Sequence, residues 1–276
     1  GFKLFTDFDV MKRDFEESKT VNATDYRAIV GCLLYVSRGT RPDVATAVHL
    51  AATASQRPTE THFKAAKQIL RYLLYTRHFP LQFNTEKDDF NETIVGIVDA
   101  SYGRRHQDRR ARTGIAVKFG SLKTKTAVHT WRSKLQALVS HNTMHAEYMA
   151  ACAGTVEIHD LRLFLEECGS VQQNVDGDTR FSLIYTDSQN AVDIAKNQFQ
   201  HHRTKPIANK YHQIREHVKG EYKICIISHV PGKDNPADLL TKILGRTLFE
   251  RHRDNLMNIT TPYTQYTSDT FRTMWK

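Results

Sequence analysis

Residues 181–195, FSLIYTDSQNAVDIA, contain the transition that decides the fold of this chain. The apolar residues 181–185 predict a buried β-strand, and the helical spacing that follows begins at Ser188. Asp187 lies between them, so a carboxylate directly follows an apolar strand. Asp187 can be a simple helix cap. It can also be a functional carboxylate, and that interpretation requires other acidic residues at similar places.

The periodicity of the remaining sequence gives the order of the other elements. Residues 1–88 predict a small helical domain, and the polar segment at 84–92 predicts a domain boundary. In residues 92–245 the pattern predicts three strands, a long helix, the strand at 181–185, and then helix, strand and helix. This order predicts an α/β fold with a mixed five-stranded sheet flanked by helices. Residues 246–276 are expected to form a C-terminal tail that is partly helical or disordered.

Composition limits the classes of partner and compartment. The net charge of +9 over 276 residues favours a polyanionic partner, although charge that serves only solubility is an alternative. No apolar run approaches the length that spans a membrane, so no membrane partner is predicted. The chain begins with Gly1 rather than Met, which favours a fragment or a processed product. The four cysteines are far apart and form no zinc or disulfide pattern, which fits a reducing, intracellular compartment.

Four acidic residues occupy comparable places in the predicted order of elements. Asp99 and Asp187 end the first and fourth strands, Glu147 lies near the start of the long helix, and Asp238 lies at the start of the last helix. Strand ends and the starts of the following helices meet at one edge of an open sheet, so the four side chains can converge. Taken singly, capping and helix-dipole roles are the more frequent reasons for such residues. Taken together, the four coincidences favour one site.

A site of this composition predicts bound metal. Converging carboxylates repel one another, and burial raises their pKa values. Divalent cations supply the missing positive charge, and an all-oxygen set suits Mg²⁺ or Mn²⁺ rather than zinc. Two such ions can clamp the attacking and leaving oxygens of a phosphodiester. The predicted cofactor is therefore a pair of Mg²⁺ (or Mn²⁺) ions.

One histidine and several basic residues are further candidates. His229 precedes Asp238 by nine residues, where a histidine can shuttle protons or help to release a product, although most of the 14 histidines are expected to be incidental. Basic side chains along one helix face can bind a nucleic-acid backbone, and a solvated surface is the alternative. The candidate nucleic-acid contacts are Lys64, Lys67, Arg71, Arg109, Arg110, Arg203 and Lys205.

Several motifs carry a family resemblance. YRAIVGCLLYVSRGTRPDVATAV, HFKAAKQILRYLLYT, VDASYG with DRRARTG, HAEYMAA, IYTDSQNA, HRTKPIANKYHQIRE and NPADLLTK occur in that order. They resemble the C-terminal end of the reverse transcriptase region and the ribonuclease H domain of Ty1/copia-type retrotransposon Pol polyproteins. The resemblance covers about residues 20–245, and ordered motifs are far more specific than any single one. It implies a ribonuclease H-like sheet preceded by a thumb- or connection-like helical remnant.

The resemblance also implies a reaction and its residues. Asp99, Glu147, Asp187 and Asp238 match the family's catalytic set, and His229 matches its mobile histidine approximately. In such enzymes one ion, on the residues matching Asp99 and Asp238, activates water, and the other, on those matching Asp99, Glu147 and Asp187, stabilises the leaving 3′ oxygen. The substrate implied is the RNA strand of an RNA–DNA hybrid. The implied protein partner is the upstream reverse transcriptase domain of the same polyprotein.

Two other functions remain open. The family's polymerase aspartate pair is absent, since Asp88-Asp89 lies in a polar segment, so no polymerase activity is expected. Departures at Pro206 and Ala208, where the family has KHID, keep open a catalytically degenerate or domesticated nucleic-acid-binding module. An integrase-like transferase is a third possibility, which the acidic order Asp, Glu, Asp, Asp disfavours.

Overall fold

Helices form the first part of the molecule. The structure is a computed structural model that describes residues 19–83, 93–102, 110–140, 142–170, 181–196 and 208–259. It begins with α1 (Ala23–Gly39), α2 (Ala45–Thr53) and α3 (Glu60–Tyr75). The predicted boundary at 84–92, with Asp88-Asp89, lies outside the described residues. None of the helices within the described residues combines the length and apolar character that a membrane crossing needs.

A five-stranded sheet follows these helices. Its strands are β1 (Ile94–Ser101), β2 (Arg112–Phe119), β3 (Thr130–Leu135), β4 (Ser182–Thr186) and β5 (Cys225–His229). Their spatial order is β3-β2-β1-β4-β5, with antiparallel pairs among the first three and parallel pairs from β1 to β4 and from β4 to β5. The helices among and after the strands are α4 (Thr143–Glu167), α5 (Gln189–Lys196), α6 (Ala208–Lys219) and α7 (Arg246–Met257). The predicted α/β class, with a mixed five-stranded sheet flanked by helices and preceded by a helical segment, is confirmed.

The central strand β1 is buried on both faces, as its continuous apolar sequence predicts. Ile94 and Val98 pack in the layer that contains α4, whereas Val95 and Ile97 pack in the layer that contains the N-terminal helices. A Cβ atom at Gly154 of α4 would lie 2.6 Å from Val98 Cγ1, so the missing side chain lets α4 approach the sheet closely. The strand that contains Asp99 is thereby held from two sides.

The N-terminal helices and α7 share one apolar core with a face of the sheet. The hydroxyl of Thr46 donates to the carbonyl oxygen of Leu239 at 2.7 Å. The indole N–H of Trp131 donates to the carbonyl oxygen of Ser37 at 2.7 Å. These bonds join α1 and α2 to the sheet domain directly. The division into residues 1–88, 92–245 and 246–276 stays a prediction.

α7 contains a buried histidine that should make the fold sensitive to acid. His252 is 2% exposed, and its Nε2 has no hydrogen-bond partner among the described residues. Burial, followed by the charge of Arg251, lowers the pKa of His252 to about 4 from 6.5. Between these values the unfolded chain binds the proton and the folded chain does not. The free energy of unfolding should therefore fall as pH drops from 6.5 to 4, by up to about 3 kcal/mol from this group.

Urea unfolding of wild type and His252→Gln across this pH range measures that contribution. The variant cannot titrate at this position, so its stability should fall less steeply below pH 6.5. Equal slopes for the two proteins would show that His252 contributes nothing.

Candidate active site

The parallel pairing of β1 and β4 brings two of the candidate carboxylates to the same level. Ile97 lies opposite Tyr185 in the register of the two strands. Asp99 is two residues beyond Ile97, and Asp187 is two residues beyond Tyr185, so the two carboxylates stand side by side just past the parallel pairing of the strands. Asp99 does not end β1 as predicted, because the strand continues to Ser101 in its pairing with β2. Asp99 is fully buried, and Asp187 is partly exposed just after β4.

The third carboxylate is placed by a short 3₁₀ helix, Pro236–Leu240, that contains Asp238. Asn235 caps this helix, because its side-chain oxygen accepts from the N–H of Ala237 at 3.1 Å. The amide nitrogen of Asn235 donates to the carbonyl oxygen of Val98 at 3.0 Å, directly before Asp99. This bond ties the start of the 3₁₀ helix to the end of β1.

A glycine of β2 allows the 3₁₀ helix to close on the sheet. Gly114 pairs with Asp99 in the antiparallel register of β1 and β2. A Cβ atom at Gly114 would lie 2.7 Å from Thr241 Cγ2 and 2.9 Å from the carbonyl oxygen of Ala237. Real Cβ atoms do not approach other atoms this closely, so a side chain here would push Asp238 away from Asp99.

Three of the four predicted acidic side chains meet in this region, and the fourth, Glu147, lies beside them. One carboxylate oxygen each of Asp99, Asp187 and Asp238 lies within 4.8 Å of the other two. Glu147, 5% exposed near the start of α4, accepts a hydrogen bond on Oε2 from the N–H of Ala100 at 3.2 Å. The structure therefore places Glu147 beside the residue that follows Asp99.

The electrostatics of the cluster show an excess of negative charge. Burial, followed by the charges of Asp99 and Asp187, raises the pKa of Glu147 to about 9. Burial also raises the pKa of Asp99 and of Asp187, although the ammonium of Lys242 opposes both shifts. These carboxyl groups lose their protons less readily than in water because their charges are desolvated and close together. A divalent cation would reverse that effect.

Lys242 is a functional candidate that the sequence reasoning missed. Its ammonium donates to Asp238 Oδ1 at 2.6 Å and to Asp99 Oδ1 at 3.2 Å, and the hydroxyl of Thr241 donates to Asp99 Oδ2. Burial lowers the pKa of Lys242, but Asp99 and Asp238 outweigh it and raise that pKa above its ordinary value. A signal was present, because Lys242 follows Asp238 by four residues, the spacing of ion pairs along a helical turn.

His229 lies at the exposed rim of the site. Its Nε2 donates to the backbone carbonyl oxygen of Asp187 at 3.1 Å, so its ring is bonded to the backbone and not to a carboxylate. A Cβ atom at Gly232, three residues later, would lie 3.2 Å from Asp187 Oδ2. The loop that carries His229 therefore forms one wall around the Asp187 carboxylate.

Only some of the candidate nucleic-acid contacts lie among the residues that the structure describes. Lys64, Lys67 and Arg71 are exposed on α3, and Arg110 is exposed before β2. The Lys67 ammonium lies 4.8 Å from the centre of the Phe63 ring. Three candidates lie outside the described residues, namely Arg109, Arg203 and Lys205.

The donor set fits a hard divalent cation. The three closest groups are the carboxylates of Asp99, Asp187 and Asp238, each on a different segment of the chain. None of these three groups supplies a sulfur atom or an imidazole nitrogen. Mg²⁺ and Mn²⁺ prefer such oxygens. The arrangement can therefore hold hard cations at the end of two parallel strands, beside a rim open to solvent.

Comparison with known proteins gives relatives but no matching family profile. The chain is 36% identical over 236 residues to the retrovirus-related Pol polyprotein from transposon TNT 1-94 of Nicotiana tabacum. It is 32% identical over 237 residues to that from transposon RE1 of Arabidopsis thaliana. These matches cover 85% and 86% of the chain but 16% and 15% of the relatives, so the chain spans about one-sixth of their length.

A solved structure, that of LC11-RNase H1 isolated from compost by a metagenomic approach, is similar over 55% of this chain and 94% of that protein. The two share 17% sequence identity with a TM-score of 0.39, a likeness that carries no functional information by itself. Sequence is the stronger comparison. Over most of its length the chain is homologous, at 30–36% identity, to retrovirus-related Pol polyproteins from copia-type transposons.

Proposed function

We propose that this chain is the ribonuclease H segment of a retrotransposon Pol polyprotein, a metal-dependent endonuclease that hydrolyses the RNA strand of RNA–DNA hybrids during reverse transcription. The observation that carries the proposal is the convergence of Asp99, Asp187 and Asp238 within 4.8 Å at the end of two parallel strands. The relatives are Pol polyproteins of transposons, which supports the same role.

The carboxylates of Asp99, Glu147, Asp187 and Asp238 would hold two Mg²⁺ or Mn²⁺ ions. When bound, such ions activate a water molecule and stabilise the leaving oxygen of a phosphodiester. The protein contributes positioning, because β1 and β4 fix two carboxylates and the bond from Asn235 to Val98 fixes the third. His229, exposed beside Asp187, would exchange a proton with solvent or product in this proposal.

A cleavage assay tests this function. The purified chain is incubated with a labelled RNA–DNA hybrid, and with RNA and DNA duplexes of the same sequence, in Mg²⁺ or in a chelator. We expect the RNA of the hybrid alone to be cut, only with metal, leaving 5′-phosphate ends. Binding without cleavage would instead favour the degenerate or domesticated module, and cleavage of the DNA duplex would favour the integrase-like alternative.

Hybrid binding should be strongly salt-dependent, because the proposed contacts are to phosphates. Replacing Lys64, Lys67 and Arg71 by Gln removes three exposed charges from one face of α3. We expect weaker binding of hybrids of every sequence and a slope of log affinity against log salt that is shallower by about 2–3. Fluorescence anisotropy at several salt concentrations measures both quantities.

A matched variant separates these contacts from net charge. Lys123, Lys125 and Lys134 are exposed near and on β3, and their replacement by Gln removes the same three charges. That variant should keep the wild-type slope. Equal losses of affinity and of salt slope in the two variants would show that α3 is not part of the proposed interface.

The partner and location follow from the polyprotein context. We propose that the segment acts beside the upstream reverse transcriptase domain of the same polyprotein, inside the cell, with no membrane partner. The similarity to Pol polyproteins of transposons, of which this chain spans about one-sixth, supports this partner. No polymerase activity is proposed for the segment itself.

A further inference from the structure

We propose that Lys242 is an internal cation that holds Asp99 and Asp238 together before metal binds and competes with a divalent ion for these two carboxylates. The inference rests on the proposed function only in taking the carboxylates as metal ligands. It assigns a role to a residue that supplies no ligand oxygen.

The contacts of Lys242 place its ammonium between two carboxylates of the cluster. Nζ lies 2.6 Å from Asp238 Oδ1 and 3.2 Å from Asp99 Oδ1. Both carboxylates belong to the group of three whose oxygens lie within 4.8 Å of one another. An ion bound by both Asp99 and Asp238 would therefore compete with the Lys242 ammonium for the same carboxylate oxygens.

The Lys242 side chain can leave this position. It is 38% exposed, in contrast with 0% for the side chain of Asp99. A lysine has a flexible four-carbon stem and three rotatable donors, so its ammonium can move toward solvent without moving the backbone. If the ammonium stays nearby, it repels an incoming cation, and if it moves away, its bonds to the carboxylates are lost. In both cases the positive charge of Lys242 weakens cation binding. Lys242 should therefore stabilise the metal-free site and lower its affinity for metal.

Two variants and one control test this role. Lys242→Gln removes the charge, Lys242→Arg keeps it, and Lys123→Gln removes an exposed charge in the loop after β2. Thermal unfolding in a chelator measures metal-free stability, and calorimetric titration with MnCl₂ and MgCl₂ measures affinity. Neither readout depends on RNA cleavage.

We expect Lys242→Gln to unfold at a lower temperature than wild type in chelator and to bind Mn²⁺ about tenfold more tightly. Its rise in Tm on adding metal should be correspondingly larger. Lys242→Arg and Lys123→Gln should resemble wild type in both measurements. A lysine with a structural role alone would lower the Tm without tightening metal binding, and that result would overturn the inference.

The outcomes separate this inference from the proposed function. If Lys242→Gln binds metal more tightly but the wild type does not cut a hybrid, the function fails and the inference stands. If the wild type cuts a hybrid and Lys242→Gln binds metal no more tightly, the inference fails alone. If Lys242→Gln is unfolded in chelator, recovery of its circular dichroism spectrum with Mn²⁺ supports the inference. The inference is overturned if the spectrum of Lys242→Gln does not recover at a Mn²⁺ concentration at which Lys242→Arg is folded and saturated with metal.

Discussion

Asp187→Asn should abolish hydrolysis of RNA in an RNA–DNA hybrid, with kcat lower by about 10²–10³-fold or more, the range seen when one group that stabilises a transition state is lost. Asn has the shape of Asp but lacks its charge. Among the described residues no cation bonds to the Asp187 carboxylate, whereas Asp99 accepts from Thr241 and Lys242. Asp187→Asn is therefore the cleaner test, and Asp99→Asn should have an equal effect on cleavage.

The same substitution should not harm the metal-free fold. Burial and the charge of Asp99 raise the pKa of Asp187, so the negative charge is unfavourable without metal. Neutralising it should leave the Tm in chelator unchanged or higher, while metal no longer raises the Tm as it does in wild type. Loss of cleavage together with these two results identifies a metal ligand.

A matched aspartate serves as the control for this prediction. Asp193 is exposed on α5 and accepts a hydrogen bond from the Gln189 side chain at 2.8 Å. Asp193→Asn removes the same charge close in sequence to Asp187 and should cut hybrids at the wild-type rate. If Asp187→Asn cuts as fast as this control, the proposed site is wrong.

Much of the fold follows from local sequence, because its central elements are strongly patterned. β1 is apolar from Ile94 to Val98, and the predicted long helix is α4, Thr143–Glu167. The apolar residues 127–128 extend the strand pattern of β3 toward its N-terminus, but the strand begins at Thr130. The N–H groups of Ala127 and Val128 donate instead to Gln82 and Leu256, which are distant in sequence. Sequence periodicity does not reveal such partners.

In the candidate site, too, some features follow from local sequence and others depend on contacts that are distant in sequence. The meeting of Asp99 and Asp187 follows from two strand ends and a parallel register, which the order of elements predicts. The last predicted helix, which contains Asp238, is a short 3₁₀ helix whose start is bonded to β1 through Asn235 and whose last turn packs on Gly114. These contacts join segments more than 100 residues apart, so no local pattern contains them.

The second large effect concerns stability and lies in the motif TRPD at residues 40–43. Arg41 donates from Nε to Asp43 Oδ1 at 2.9 Å and from Nη2 to Asp43 Oδ2 at 2.7 Å. The hydroxyl of Tyr72 donates to Asp43 Oδ2 at 2.6 Å, and Arg41 Nη1 donates to the carbonyl oxygen of Thr76 at 3.0 Å. Arg41 is 5% exposed and Asp43 is 2% exposed, so this ion pair is buried between α1, α2 and α3.

Asp43→Asn should lower the free energy of unfolding by about 3–5 kcal/mol, because it leaves the Arg41 guanidinium buried without its counter-charge. Replacing both residues, as Arg41→Met with Asp43→Leu, removes both charges and should recover a large part of that loss. Urea unfolding measures each variant. Glu250→Gln serves as a control, because it breaks a 2.9 Å pair with Arg246 that is exposed and worth less than about 1 kcal/mol.

The position of this pair makes its loss a test of the architecture. α1 and α3 share their core with Val95 and Ile97 of β1 and with Phe249 of α7. Destabilising the helices should therefore destabilise the sheet, and Asp43→Asn should shift one cooperative transition seen by both tryptophan fluorescence and circular dichroism. Two separated transitions, with the sheet unaffected, would mean that residues 1–88 unfold independently. A loss below about 1 kcal/mol would mean that the pair behaves as a surface pair does.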